Sequence, residues 1–311
     1  MLQLPVGADK QANLSHAKRE LADALAESRA DLVVLPEVWQ SPYGVQHFGT
    51  YAESFGGLWD TLQQRAGKEA HGRARWGIDG RSGGVPLGAE CASETLRWLS
   101  EQAREHGVVL VGGSIPERDE ATGKLYNTSS VFDEQGHLIS LFRKVHLFDI
   151  NVPGMSFQES KTLSAGDRVC VFECSLGRFG LGICYDVRFG EYATICARLG
   201  AGAILYPGAF NTTTGPVAWE LLLRARAADN QLYVLGCSPA RPSQADIDGG
   251  SYPTWGHSSG VDPWGKVLAT CDAAPARVRV ELDPEMVEKC RAGVPISTQR
   301  RFDLYADISQ V

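Results

Sequence analysis

Apolar residues recur along this chain at two spacings that take turns. From Asn13 to Ala30, Leu14, Ala17, Leu21 and Leu25 fall every three or four positions, which places them on one face of a helix. Asp31 to Leu35 comes next as a short apolar run of strand length, ended by Pro36. A second helix is expected from Ser93, a suitable N-cap, through Leu96, Leu99 and Ala103 to a stop at Gly107, with Val108 to Val111 as the next strand. After Asn127, NTSSVFDEQGHLISLFRK reads as two strands joined by a turn at 133–136, with Lys144 at the end of the second.

The second half repeats the scheme. It predicts a strand at Gly180 to Ile183, a helix at Val187 to Leu199, a strand at Ala203 to Tyr206 and a helix opening near Pro216. A strand at Leu232 to Gly236 and a hairpin turning at 262–265 complete it. Two such halves predict an α/β fold in which two sheets pack face to face with helices outside, forming one four-layer domain over residues 1–311. Residues 64–90 carry Gly and Arg without an apolar period and are expected to be a loop insertion. A solvated insertion is favoured over a lid or partner-binding segment, because the cost of closing a loop grows slowly with its length and such insertions are readily tolerated.

Composition narrows the function classes. With 43% hydrophobic and 22% charged residues the chain is that of a folded protein. A net charge of -7 and the lack of a basic run argue against a nucleic-acid binder and for a small-molecule partner. No apolar stretch is long enough to cross a bilayer, and the opening MLQLPVGADKQ has neither a basic nor an apolar leader region, so a soluble, cytoplasmic protein with no membrane partner is expected. The eight cysteines are scattered, none in a Cys-x-x-Cys pair, and no His pair accompanies Cys170 and Cys174, so no metal site is expected.

The strongest local signal is RFGLGICYDVRFGE, where an apolar strand ends at Cys184 and a helix is expected within a few residues. Backbone N–H groups at such a turn can stabilise a thiolate and a nearby oxyanion. Glu37 stands just past the carboxyl end of a buried strand, where ligands bind in open α/β sheets, and Lys144 ends a hairpin strand among apolar neighbours. Taken singly, Cys184 is one more buried cysteine, Glu37 a helix cap and Lys144 a surface lysine; their common position at element ends is what groups them. The thiol would feel opposing influences, lowered in pKa by Lys144 and the helix start and raised by Glu37.

Leu-Pro-Glu37, Arg-Lys144-Val-His-Leu-Phe and Gly-Ile-Cys184-Tyr-Asp-Val-Arg stand in the order of the three motifs that hold Glu, Lys and Cys in the nitrilase superfamily, which the chain resembles over nearly its whole length. SPYG at 41–44, HLFDINVPG at 146–154, FQES at 157–160 and YPGAFNTTTGP at 206–216 are similar to its omega-amidase branch; the insertion at 64–90 exceeds what that branch usually carries. The resemblance implies a four-layer αββα sandwich, two mixed sheets with helices outside, and a homodimer. It implies a second glutamate after the Lys motif, matched by Glu159, which orients Lys144 or the substrate; Glu117 in GSIPE ranks behind it.

The implied activity is hydrolysis of the side-chain amide of short 2-oxo dicarboxylic acid amides, 2-oxoglutaramate and 2-oxosuccinamate, through a Cys184 thioester, with no cofactor. Glu37 would be the base, and Lys144 with backbone N–H groups near Tyr185 would hold the oxyanion. Arg188, four positions after Cys184, is a candidate for the substrate's carboxylate, with a structural ion pair as the alternative, and Tyr43 would line the pocket. Other readings are an amidase for deaminated glutathione, and a nitrilase-like binding protein that has lost activity. A nucleotide-binding dehydrogenase fails because Tyr185 stands where the glycine fingerprint after Phe179 requires Gly.

Overall fold

In the strand Leu32–Val34, Val33 and Val34 point to opposite sides, as the two-residue period of a strand requires, and each finds a different apolar neighbourhood. The computed structural model describes residues 1–65, 76–80, 83–153 and 155–305. Val33 packs with Leu14 and Leu21 of the helix Lys10–Glu27 and with Leu96 and Leu99 of the helix Glu94–His106. Val34 joins Val109, Val111 and Val131 against Phe172, Leu181, Leu205 and Val234 of a second sheet. Leu110 and Phe132 turn back to the helices, so the division holds across the sheet.

The first sheet runs Leu32–Val34, Val109–Val111, Leu125–Phe132, Ile115–Arg118, Glu53–Ser54, and Leu138–Arg143 pairs with Leu125–Phe132 as well. The second runs Val267–Thr270, Ser259–Val261, Tyr233–Cys237, Ala203–Pro207, Gly177–Leu181, Val169–Cys174, Trp76–Asp79. Its outer face is covered by Tyr192 and Cys196 of the helix Gly190–Arg198 and by Trp219, Leu223 and Ala227 of the helix Gly215–Asn230. The layers therefore succeed one another as helix, sheet, sheet, helix, the αββα order expected from the duplicated halves.

Local signals account for most element ends. Ser93 caps its helix by accepting Leu96 N–H, Gly107 closes it in the left-handed region, and Pro216 lies in the first turn of Gly215–Asn230. The hairpins turn where expected, with Gly136 N–H donating to Asp133 O and Gly265 N–H to Asp262 O, both at 2.9 Å.

Two elements differ from expectation. The helix expected over Val187 to Leu199 is split into a 3-10 turn, Cys184–Arg188, and the helix Gly190–Arg198. Asp186 Oδ2 accepts Ile183 N–H at 2.8 Å and holds the turn around Cys184, and Arg226 takes the carbonyls of Val187 and Arg188 at 2.8 and 3.0 Å where a continuous helix would use its own N–H groups. The segment 64–90 is not loop throughout either. Trp76–Asp79 is an edge strand parallel to Val169–Cys174, and Val85 bridges Leu138; residues 66–75, 81 and 82 lie outside the described residues. The strand is held by its backbone ladder and by Asp79, which accepts Ser140 Oγ at 2.6 Å and Arg168 at 2.9 and 2.8 Å, so it has no need of an alternating apolar face.

Among the described residues no helix is long and apolar enough to cross a membrane, and no group of three or more His, Cys, Asp or Glu could hold a metal ion.

Candidate active site

Four strands deliver their next residues to one end of the sandwich. Glu37 comes after Leu32–Val34, Lys144 after Leu138–Arg143, Cys184 after Gly177–Leu181 and Ala209 after Ala203–Pro207. Both turns that carry the acid and the thiol are strained: Val38 has φ +47° and Cys184 φ +48°, a region that side-chain-bearing residues rarely enter. Small neighbours make room. A Cβ on Gly113 would meet Pro36 O at 2.0 Å, and one on Gly208 would meet Cys184 Cα at 3.1 Å.

Lys144 is fully buried and its Nζ bridges two fully buried carboxylates, donating to Glu37 Oε1 and Glu159 Oε1 at 3.0 Å and approaching Glu159 Oε2 at 2.9 Å. Glu37 also accepts Asn127 Nδ2 at 2.8 Å and Ala209 N–H at 2.7 Å. Glu159 accepts Tyr43 Oη at 2.6 Å and Phe148 N–H at 2.7 Å. Each acid is thus held by hydrogen bonds besides the ion pair, the arrangement that makes buried charge tolerable.

The charges in the cluster do not balance: two carboxylates and a thiol face one ammonium. Burial raises the Glu37 carboxyl, Lys144 pulls it back and Glu159 adds to the rise. Burial works against the Lys144 ammonium, but Glu159, then Glu37, hold it well above its ordinary value. For Cys184, burial and then the Glu37 charge outweigh Lys144, and the thiol sits well above its ordinary pKa. The competition foreseen in the sequence therefore ends with a protonated thiol beside a carboxylate able to accept its proton and a fixed cation able to meet an oxyanion.

Comparison with known proteins gives this geometry its family. The family model for carbon-nitrogen hydrolases matches residues 1–292. The chain belongs to the carbon-nitrogen hydrolase family. It is 43% identical over 307 residues to omega-amidase NIT2 of Homo sapiens, covering 98% of this chain and 95% of that one. The chloroplastic omega-amidase of Arabidopsis thaliana is 44% identical over 306 residues, covering 98% and 72%. The crystal structure of Saccharomyces cerevisiae Nit3, a member of branch 10 of the nitrilase superfamily, superposes with a TM-score of 0.79 at 41% identity, covering 97% of this chain and 95% of that one. The protein is thus an amide-hydrolysing enzyme of the nitrilase superfamily, omega-amidase branch, with its αββα sandwich.

In this hydrolase the other sequence candidates take different places. Tyr43 is buried and its hydroxyl proton goes to Glu159, so it supports that acid and offers a substrate only its ring. Tyr185 packs edge-on to Phe148 and Phe189. Arg188 ends a 3-10 turn of three residues per turn, so it does not lie directly above Cys184 as an α-helical i+4 residue would. Its guanidinium carbon instead lies 5.6 Å from the Tyr185 ring and 5.2 Å from that of Phe210, with no carboxylate partner among the described residues and a buried Nε that bonds to nothing among them. Glu117 is outside the cluster: it accepts Arg143 Nε at 3.0 Å and Trp59 Nε1 at 2.7 Å.

Arg143 and Lys144 point to opposite sides of their strand end. Arg143 lines a separate cavity of about 650 Å³ with Trp59, Tyr126, Glu117 and Asp119, where its guanidinium stacks 3.7 Å from the Tyr126 ring and is paired with both acids. Arg143, Glu117 and Asp119 are paired with one another there, and among the described residues no Cys, Ser, Thr or Lys lines the cavity.

The sequence reading missed Asn127, Asp186 and the Ala209 N–H. Asp186 had a visible signal, an acid two residues past Cys184 at a helix start. It joins the two halves of the site, its Oδ1 accepting His146 N–H at 2.9 Å and His146 Nδ1 at 2.7 Å. Asn127 is one polar residue in a strand, with no local pattern to mark it.

Proposed function

We propose that this hydrolase is an omega-amidase acting on short 2-oxo dicarboxylic acid amides. The reading is carried by the Glu37–Lys144–Glu159 cluster beside a protonated Cys184, with the Arg188 guanidinium, which has no carboxylate partner among the described residues, at hand for a distal carboxylate. Relatives named omega-amidases support it. Cys184 Sγ attacks the amide carbon as its proton passes to Glu37, and the carbonyl oxygen, now an oxyanion, meets Lys144. Glu159 keeps Lys144 charged and in place. The C–N bond breaks as Glu37 returns the proton to the nitrogen, and ammonia leaves behind a Cys184 thioester. Water, giving a proton to Glu37, hydrolyses the thioester; the 2-oxo acid departs and the thiol regains its proton. Loss of one oxyanion donor costs on the order of 3 kcal/mol in the barrier, so the term assigned to Lys144 is large.

A homodimer completes this reading. Val217 and Leu221, one turn apart on the helix Gly215–Asn230, are 72% and 66% exposed, an apolar stripe suited to a second copy of the chain. Ammonia release from 2-oxoglutaramate, deaminated glutathione and glutamine, compared between the native chain and Cys184→Ala, tests the function. Fast, Cys184-dependent turnover of 2-oxoglutaramate alone is expected; turnover confined to deaminated glutathione would overturn the substrate, and activity in Cys184→Ala would overturn the mechanism. Sedimentation of Leu221→Glu beside the native chain tests the dimer, which should dissociate.

A further inference from the structure

Asn211 fixes the direction of a neighbouring hydroxyl. Its Oδ1 accepts the N–H groups of Thr213 at 3.0 Å and Thr214 at 2.8 Å, and Thr214 Oγ1 at 3.1 Å, ahead of the helix Gly215–Asn230. Those donors settle which end of the amide is oxygen. Nδ2 must then face the other way, where it donates to Tyr252 Oη at 3.1 Å and meets Met155 Sδ at 3.0 Å. An amide N–H₂ can only donate, so Tyr252 accepts there and its own proton is left to point elsewhere. Among the described residues no acceptor lies within hydrogen-bond distance of that proton, which sets Tyr252 apart from Tyr43, whose proton is taken by Glu159.

The Tyr252 ring packs against Tyr43, whose hydroxyl donates to Glu159. The Tyr252 ring is 4.5 Å from that of Tyr43 and 5.7 Å from that of Phe157, centroid to centroid. Burial, then the charge that Cys184 would carry, then Glu37 and Glu159, raise the Tyr252 hydroxyl well above its ordinary value. It therefore remains a neutral donor throughout the pH range in which Glu37 works. It bonds to none of Glu37, Lys144, Glu159 or Cys184, so the proton transfers of hydrolysis do not involve it. A fixed donor, near the nucleophile and outside its proton relay, has the remainder of the substrate to address.

We propose that Tyr252 is a specificity-determining residue whose hydroxyl donates a hydrogen bond to an oxygen that the substrate carries beyond the scissile amide. A neutral phenol suits the uncharged 2-oxo oxygen, as the Arg188 guanidinium suits the carboxylate. A pocket built to hydrogen-bond a substrate group discriminates strongly against molecules that lack it, because the donor is then left unpaired. The assignment rests on the omega-amide reading and refines it.

The test compares the native chain with Tyr252→Phe by two readouts: kcat and KM for 2-oxoglutaramate, and the rate at which iodoacetamide alkylates Cys184. Iodoacetamide brings an amide but no further oxygen. KM is expected to rise about tenfold, the size of one lost hydrogen bond, while kcat and the alkylation rate stay within about twofold. An unchanged KM would overturn the assignment. So would a fall in kcat and alkylation that accompanies the change in KM, which would make Tyr252 a structural support. If the native chain is alkylated at Cys184 but does not turn over 2-oxoglutaramate, the omega-amide reading itself fails and takes this assignment with it.

Discussion

Replacing Lys144 with methionine keeps an unbranched side chain and removes the ammonium that two buried acids share. In the native protein Nζ lies 3.0 Å from Glu37 Oε1 and 2.9 Å from Glu159 Oε2, with all three side chains out of contact with water. Removing one partner of a buried pair costs about 3–5 kcal/mol, because the remaining charge has lost its compensation. Here two carboxylates lose it together, although Asn127, Ala209, Tyr43 and Phe148 still donate to them. With a shift of about 2–4 °C per kcal/mol for a chain of this size, the melting temperature should fall by roughly 6–20 °C. The pH dependence identifies the cause. Without the cation, Lys144 no longer offsets burial at Glu37, and the folded pKa of that acid rises further above the ordinary 4.5. A group with a raised folded pKa contributes stability that is fully present below its unfolded value and is lost as pH rises through the folded one. Thermal unfolding followed by circular dichroism at pH 5 and pH 8 should therefore show the gap between native and Lys144→Met widening with pH, and Lys144→Met/Glu159→Gln should recover part of it. A variant within about 0.5 kcal/mol of the native chain at both pH values, or a gap widest in acid, would refute the argument.

The acid limb of kcat/KM should report the raised Glu37 carboxyl, with activity lost as pH falls through an inflection above the ordinary value of 4.5; a pH–rate profile that stays flat down to 4.5 would contradict the assignment of Glu37 as base. Gly113→Ala should destabilise by more than about 1 kcal/mol and lower kcat/KM, because its φ of +62° and a Cβ 2.0 Å from Pro36 O push on the turn that carries Glu37; Gly107→Ala, at φ +61° with open space around it, should cost only about 1 kcal/mol and leave kcat/KM unchanged. Glu117→Gln should weaken the Arg143 pairing and cost about 1–3 kcal/mol by chemical denaturation while kcat/KM stays within about twofold, distinguishing it from Glu159.

The site residues legible in the sequence are those that stand at the end of a buried apolar run. Glu37, Lys144 and Cys184 each occupy such a position, and the end of a strand is a feature that side-chain order alone can mark. Glu159 lies in a 3-10 turn after the short, half-exposed hairpin Asp149–Val152 and Met155–Gln158 rather than at the end of a buried apolar run, and only resemblance to the superfamily singled it out. Tyr252 and Asn127 act through contacts with residues 41 and 90 positions away, and local pattern carries no trace of such partners. The edge strand Trp76–Asp79 escaped for a related reason, since backbone pairing with Val169–Cys174 leaves no signature in side-chain order. The split at Phe189 goes with Arg226, almost forty positions away, which takes the carbonyls of Val187 and Arg188, a partner that local pattern does not show.

The resting state of Cys184 also bears on how the enzyme survives in its surroundings. Peroxides and most electrophiles react with thiolates, and a thiol held protonated by burial and by Glu37 gives them little to attack. In the proposed mechanism the sulfur becomes reactive when a bound amide presents its carbonyl oxygen to Lys144 and the thiol proton passes to Glu37. On that mechanism oxidative damage is deferred until a substrate is in place, and a covalent inhibitor aimed at this site would have to resemble an amide before it could behave as an alkylating agent.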